Sequence, residues 1–252
     1  MIHFFRHIRQ GLLSENRIRK YLLYALGEIT LVMIGILLAL QIDNWNDNKN
    51  IRNTEQQYLL ALKEEFLFNK AELERVTNRN EENAANMVKL VNHMGPADSE
   101  VTEGEIGELL RGSLSYEIQF NPSQGVLDEI ISSGKLGMFS SHELRFALSS
   151  WSGRLHTVRL DEQELLRLRY ITIDIVRNEG NLRKAIYGPW LEETGIKQTR
   201  FQLGNLELLK SVPFEGHMVG VTTMSLNLHN HHYPILDEEI DKILLLIDNE
   251  IK

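Results

Sequence analysis

The chain has 252 residues, with 27 Lys and Arg against 35 Asp and Glu for a formal net charge of −8, and it contains no cysteine. The acidic balance argues against nucleic-acid binding, which needs clustered Lys and Arg to displace counterions. The lack of cysteine excludes disulfides, thiolate metal ligands and cysteine nucleophiles.

The first twenty residues are basic. Ile2, Phe5, Ile8 and Leu12 fall at helical spacing with Arg6 and Arg9 off that face, the pattern of an amphipathic helix on an anionic membrane surface; a basic tail without fixed structure fits equally. Residues 21–42, YLLYALGEITLVMIGILLALQI, are almost wholly apolar, with one acid, Glu28. At ~1.5 Å rise per residue, a helix of this length crosses the ~30 Å hydrocarbon core of a bilayer. A cleaved signal peptide is the rival reading. It wants an apolar core of ~7–15 residues and small residues at its end. Leu38-Ala39-Leu40-Gln41-Ile42 lacks that ending, and the expectation is an uncleaved transmembrane helix at 21–42.

Residues 1–42 carry Arg6, Arg9, Arg17, Arg19 and Lys20 against Glu15 and Glu28, a net +3, which leaves −11 on residues 43–252. The twenty residues after the run hold only Lys49 and Arg52. The positive-inside bias then predicts a cytoplasmic N-terminus and an acidic domain, residues 43–252, on the other side. In a bacterial inner membrane that side is the periplasm. Tyr21 and Tyr24 at one end and Trp45 at the other match interfacial aromatic belts.

Helical geometry places Glu28 on one face with Gly35 and Ala39, and Gly27 beside it. Gly35-x-x-x-Ala39 is a small-x-x-x-small pair, which lets two helix backbones approach closely. Gly27, Glu28, Gly35 and Ala39 are therefore a candidate intramembrane interface, with a second copy of the chain or another membrane protein as partner. Glu28 has two readings: a proton- or ion-responsive carboxylate, or a register-setting acid that reaches back to the nearby cytoplasmic boundary.

Beyond the run, residues 43–95 read as a continuation of the same helix. Leu59, Leu62, Phe66, Leu73 and Val76 form one stripe, and Met87, Leu90, Val91 and Met94 resume it after a polar, Asn-rich stretch at 78–86. Gly95-Pro96 ends it. Thr102-x-x-Glu105 is a capping-box pattern that opens a helix near 102–113. Residues 115–120, SYEIQF, could form a short extended piece. Asn121-Pro122-Ser123 marks a turn, with a short helix through Ile131 stopped by Ser132-Ser133-Gly134. Ser140 or Ser141 caps a long helix to about 178, with Leu144, Leu148, Trp151, Leu155, Val158, Leu165, Leu168, Ile171 and Ile175 as its core stripe. Gly180 and Gly188-Pro189 close this region, and signals weaken between 190 and 212. Pro213 can open a further helix and Pro234 the last, where Leu236, Ile240, Ile243, Leu244 and Ile247 recur every three or four residues. No period-two run of useful length appears. The fold class predicted is all-α: a transmembrane helix continuing into a long helix, followed by an antiparallel helical bundle.

His229, His231 and His232 are the most tempting metal ligands. No H-E-x-x-H pattern accompanies them, adjacent imidazoles point to different sides of a helix, and the expectation is a solvated polar turn before Pro234 with no metal. No G-x-S-x-G elbow, P-loop or G-x-G-x-x-G fingerprint is present. Asp161-Glu162, Glu192-Glu193 and Asp237-Glu238-Glu239 read as solvated faces or starts of helices. Neither a catalytic residue nor a cofactor is expected.

The run KYLLYALGEI at 20–29 and LVMIGILLALQIDNWN at 31–46, preceded by FFRHIRQGLLSENRIRKY, resembles an uncharacterised family of single-pass bacterial membrane proteins, a domain of unknown function. Its members look like K-Y-L-L-Y-A-x-G-E-I-x-L-V-x-I-G-I-L-x-A-L-Q-I-x-N-W-N. A looser likeness lies at 122–151, PSQGVLDEIISSGKLGMFSSHELRFALSSW. The resemblance implies an N-terminal anchor, a helical body and no assigned activity, and it makes Gly27-Glu28 part of a family pattern. The function expected is a non-enzymatic, membrane-anchored interaction or scaffold component of the cell envelope. Two alternatives stand beside it: an ion-motor-like or transporter-accessory subunit that protonates Glu28, and a periplasmic sensor-type bundle.

Overall fold

The computed structural model describes residues 18–97 and 100–251; the basic amphipathic segment predicted at the N-terminus lies largely outside the described residues. The chain separates into two units, residues 1–56 and 57–252. The chain is all-α, and no strand occurs among the described residues.

Helix α1, Ile18–Asn92, runs through 75 residues without a break. From Leu26 to Ile42 its large apolar side chains stand more than half exposed. The stretch 43–56 contains neither Pro nor Gly, so nothing interrupts the hydrogen-bond ladder.

In the second unit, α1 buries Leu59, Leu62, Phe66, Leu73, Val76, Met87 and Leu90, the stripe its spacing predicts. The Asn-rich stretch is not a solvated gap in that stripe. Asn80 and Asn83 are buried, because Asn80 Nδ2 donates to Ser225 O at 2.8 Å and the Ser225 hydroxyl donates back to Asn80 Oδ1. Buried amides are tolerated only when partnered in this way.

Helix α2, Glu103–Leu114, begins with the predicted capping box: Thr102 Oγ1 accepts from Glu105 N, and Glu105 accepts from Thr102 N at 2.8 Å. Residues 117–124 are irregular, with Ile118 and Phe120 buried, so SYEIQF forms no strand. A short α3, Gly125–Ser132, and one 3₁₀ turn, Lys135–Met138, lead to α4, His142–Glu179. Ser141 caps α4 by accepting from Leu144 N at 3.1 Å.

Gly188-Pro189 does not simply close the region. Two short helices follow Gly180: α5, Leu182–Ile186, and α6, Pro189–Glu193, which Pro189 opens rather than ends. A 3₁₀ turn, Leu206–Lys210, precedes α7, Val212–Asn227. Buried Asn205 ties the intervening loop down: Glu103 accepts from its backbone N–H at 2.7 Å, and Asn205 Oδ1 accepts from Asn181 N at 2.8 Å.

The segment before Pro234 is not a turn. Residues Leu228–His232 form a π-helical turn, in which Tyr233 N donates to Leu228 O five residues back, and the helix continues as α8, Tyr233–Glu250. A proline inside a helix removes one backbone bond and crowds the carbonyl four residues earlier. The wider π turn absorbs that cost without breaking the path.

Ion pairs and polar contacts fix the directions. Lys63 meets Asp248 and Lys70 meets Asp237 and Asp241, so α1 and α8 are antiparallel. Arg154 meets Glu239 and Glu162 meets Tyr233, so α4 and α8 are antiparallel too. The core lies between these helices, centred on Trp151, whose ring packs edge-on to Phe66 at 5.3 Å between centroids.

Candidate functional site

Three places in the chain carry polar groups in unusual settings. The first is the predicted intramembrane face. Glu28 is exposed, and a Cβ added at Gly27 or Gly35 would meet nothing within 4 Å. Gly27, Glu28, Gly35 and Ala39 thus lie on helix surface that no described part of the chain covers.

The second is a buried polar node where α4 faces the π turn. Glu162 falls on the core stripe of α4 between Val158 and Leu165, and it is buried with them. This corrects the reading of Asp161-Glu162 as a solvated face; Glu239, buried against Arg154, is a second such correction. Glu162 Oε1 accepts from Phe120 N at 2.8 Å and from the Tyr233 hydroxyl at 2.9 Å. Its Oε2 has no hydrogen-bond partner among the described residues. Burial pushes the Glu162 carboxyl above the usual carboxylate range, against the pull of those two donors and of Arg159. Burial and the adjacent carboxylate likewise push the Tyr233 hydroxyl up. A space of about 20 Å³ beside Glu162 matches a single water molecule. No substrate fits there, and the Tyr233–Glu162 hydrogen bond ties the π turn to α4.

The histidines of that turn go three ways. His232 Nε2 lies 2.8 Å from Asp161 Oδ2, His231 is exposed, and His229 buries an Nδ1 that has no partner among the described residues. The structure does not bring His229, His231 and His232 together, and no cluster of three or more potential ligands occurs among the described residues.

The third is a cleft of about 670 Å³ between the C-terminal end of α2, the second half of α4, and α5–α6. Leu110, Leu114, Ile173, Val176, Leu182 and Trp190 supply apolar walls, and Arg111 and Arg169 supply charge. The close approach of α5 to α2 depends on Gly107, where a Cβ would come within 3.1 Å of Lys184 O. Arg169 Nε donates to Leu114 O at 2.7 Å, which caps the end of α2. Arg111 Nη1 donates to Tyr187 O at 2.9 Å. No sequence signal points to this cleft, because one wall is built by 182–191, whose two helices of five residues each are too short to show a period.

The model of DUF6090, a family of unknown function, matches residues 28–172, more than half of the chain. The chain belongs to this family. The matched part runs from Glu28 through most of α4 and so contains Gly35, Ala39, Arg111, Glu162 and Arg169; α5–α6, the π turn and α8 lie beyond it. No curated protein and no solved structure matches the chain.

Proposed function

We propose that this family member is a single-pass membrane-anchored module, with residues 21–42 in the lipid of a bacterial inner membrane and the acidic helical body in the periplasm. The observation that carries the reading is the bare apolar run of α1. It continues directly into a helix that buries its apolar side chains wherever the body offers a partner. Apolar surface of this extent left uncovered marks contact with lipid or protein. The excess of Lys and Arg before the run supports the orientation.

The module is non-enzymatic and acts by association. Glu28, Gly35 and Ala39 share a face, and the free space over Gly35 leaves room for a second helix backbone. The partner on that face is a second copy of the chain. Glu28, directed into this contact, is shielded from lipid.

Fractionation tests the anchor. The full chain expressed in a bacterial host should sediment with membranes, resist alkaline carbonate and dissolve only with detergent. Recovery in the soluble fraction after lysis sinks the reading. Cysteine-free crosslinking in membranes tests the face: Gly35→Leu should reduce the dimer band several-fold, and an undiminished band removes this contact.

A further inference from the structure

We propose that the cleft between α2, α4 and α5–α6 binds an amphiphile with one apolar chain and an anionic head group, carboxylate or phosphate. The inference does not depend on the anchor, since every residue that lines the cleft belongs to the second unit.

Size comes first. About 670 Å³ lies within the ~300–1,000 Å³ typical of small-molecule sites, and the lining is apolar apart from a few polar groups, as in such sites. Trp190 is 71% exposed at the cleft, a large apolar side chain that this chain alone leaves in water.

Charge selects the head group. The protein is acidic, with a net charge of −8, yet no Asp or Glu lines this cleft and two arginines do. Arg169 is engaged: it caps α2 through Leu114 O, and Glu117 stands 3.8 Å away. Arg111 differs. Its one hydrogen bond among the described residues goes to the neutral Tyr187 carbonyl, which satisfies a donor and leaves the charge uncancelled. A guanidinium has five N–H donors in a planar fork, suited to both oxygens of a carboxylate or phosphate. Gly188 leaves the space the guanidinium occupies, since a Cβ there would come within 3.0 Å of Arg111 Nη1. On its other side Arg111 borders a shallower depression with Glu103 and Glu108, and Glu103 is occupied by Asn205.

The test uses the full chain in phosphatidylcholine nanodiscs. The chain has three tryptophans, and Trp45→Phe leaves only Trp151 in the core and Trp190 at the cleft. The probe is 10,11-dibromoundecanoate, a bromine quencher with an anionic head; 10,11-dibromoundecanol is its uncharged counterpart. The proposal expects saturable quenching by the acid that disappears in Trp190→Phe. The alcohol and the Arg111→Gln variant should each bind about tenfold more weakly, the loss of one charge-assisted contact. Ile173→Phe, which fills the cleft and keeps both arginines, should weaken binding as well, with melting temperature reporting that each variant folds. A second arm places brominated phosphatidate, against brominated phosphatidylcholine, in the disc. Selective quenching there identifies bilayer lipid as the source, and a response to free acid alone identifies a diffusible amphiphile. Quenching that never saturates, that treats acid and alcohol alike, or that survives both Arg111→Gln and Ile173→Phe overturns the proposal.

Discussion

Leu22–Ile42 and Leu59–Leu90 lie on the same helix, yet the apolar run of the first stands exposed and the apolar stripe of the second is buried. Leu31 and Ile34 stand 73% and 52% exposed, whereas Leu62 and Leu90 are fully buried. The difference lies in how much of the helix is apolar: one charged residue, Glu28, interrupts 22–42, whereas charged and Asn residues recur throughout 59–90. The later stretch concentrates its apolar residues on one stripe that the helical body covers, although Leu60, Leu67, Phe68 and Val88 stay exposed off it. The earlier stretch is apolar all round, and no single neighbour could cover it. A helix of that second kind is covered either by lipid or by several protein neighbours at once.

That contrast can be broken from either side. The largest effect belongs to Trp151→Ala, which removes the side chain packed on Phe66 at the centre of the body. It should cost about 3–5 kcal/mol of stability in denaturant unfolding of the full chain, with membrane retention unchanged until the body unfolds. Met33→Arg is the converse. It places a charge in the bare run and should weaken insertion by about 2.5–3.5 kcal/mol, seen as a shift toward the soluble fraction, while the melting of the body stays put. If Met33→Arg lowered the body's melting temperature as Trp151→Ala does, the two stretches would not be separate in solvent and role.

A smaller effect sharpens the comparison within the body. Glu65 on α1 is buried, and its carboxylate accepts from Val126 N at 3.0 Å, Leu127 N at 3.1 Å and the Ser123 hydroxyl at 3.1 Å. One turn on, Asn69 exchanges two bonds with the Ser123 backbone, at 2.8 and 2.7 Å. Helix α3 has no cap from its own Gln124, and Glu65 supplies one from 61 and 62 residues away, at the end of the helix where an acid is favoured. Glu65→Ala should cost about 2–3 kcal/mol, because it leaves buried backbone donors unpaired. The neighbouring exposed Glu64→Ala should cost less than about 0.5 kcal/mol. Equal losses would show that Glu65 acts by bulk charge and not as a cap.

These cases show what a sequence can and cannot disclose. The capping box at Thr102, the Ser141 cap and the stripe of α4 from Leu144 to Leu165 are local, since each partner lies within four residues of the other, and they are legible; beyond Leu165 the buried positions are Thr172 and Val176, and Leu168, Ile171 and Ile175 are only half-buried. So is the length of the apolar run. Glu65, Asn80 and Glu162 are not. Each is a polar residue at a core position of a helix, and what makes it tolerable is a partner 42 to 145 residues distant. Spacing alone marks such a residue only as a gap in a stripe. The π turn is hidden for a related reason: Pro234 reads as a helix start, and only the packing of Tyr233 against Glu162 reveals that the helix passes through it. The cleft is the least legible, because short helices α5 and α6 carry no sustained period.

Glu162 offers the finest test of the difference between an acid at an uncovered surface and one sealed in a core. Its carboxyl titrates higher in the folded chain than in the unfolded one, because burial disfavours the charge. Below the unfolded value both states are protonated, and the group contributes nothing to pH dependence. As pH rises the unfolded chain releases its proton first, so ionisation favours unfolding, and the loss is complete only above the folded value. Glu162→Gln keeps an oxygen for Phe120 N and the Tyr233 hydroxyl but cannot ionise. Wild type should therefore gain stability relative to Glu162→Gln as pH falls from 8 toward 4, although both lose stability overall as other carboxylates protonate. Paired thermal melts across that range read the difference directly, and the groups common to both chains cancel. A gap that stays constant with pH would mean that the Glu162 carboxylate is ionised in the fold, with Arg159 and the two donors outweighing burial.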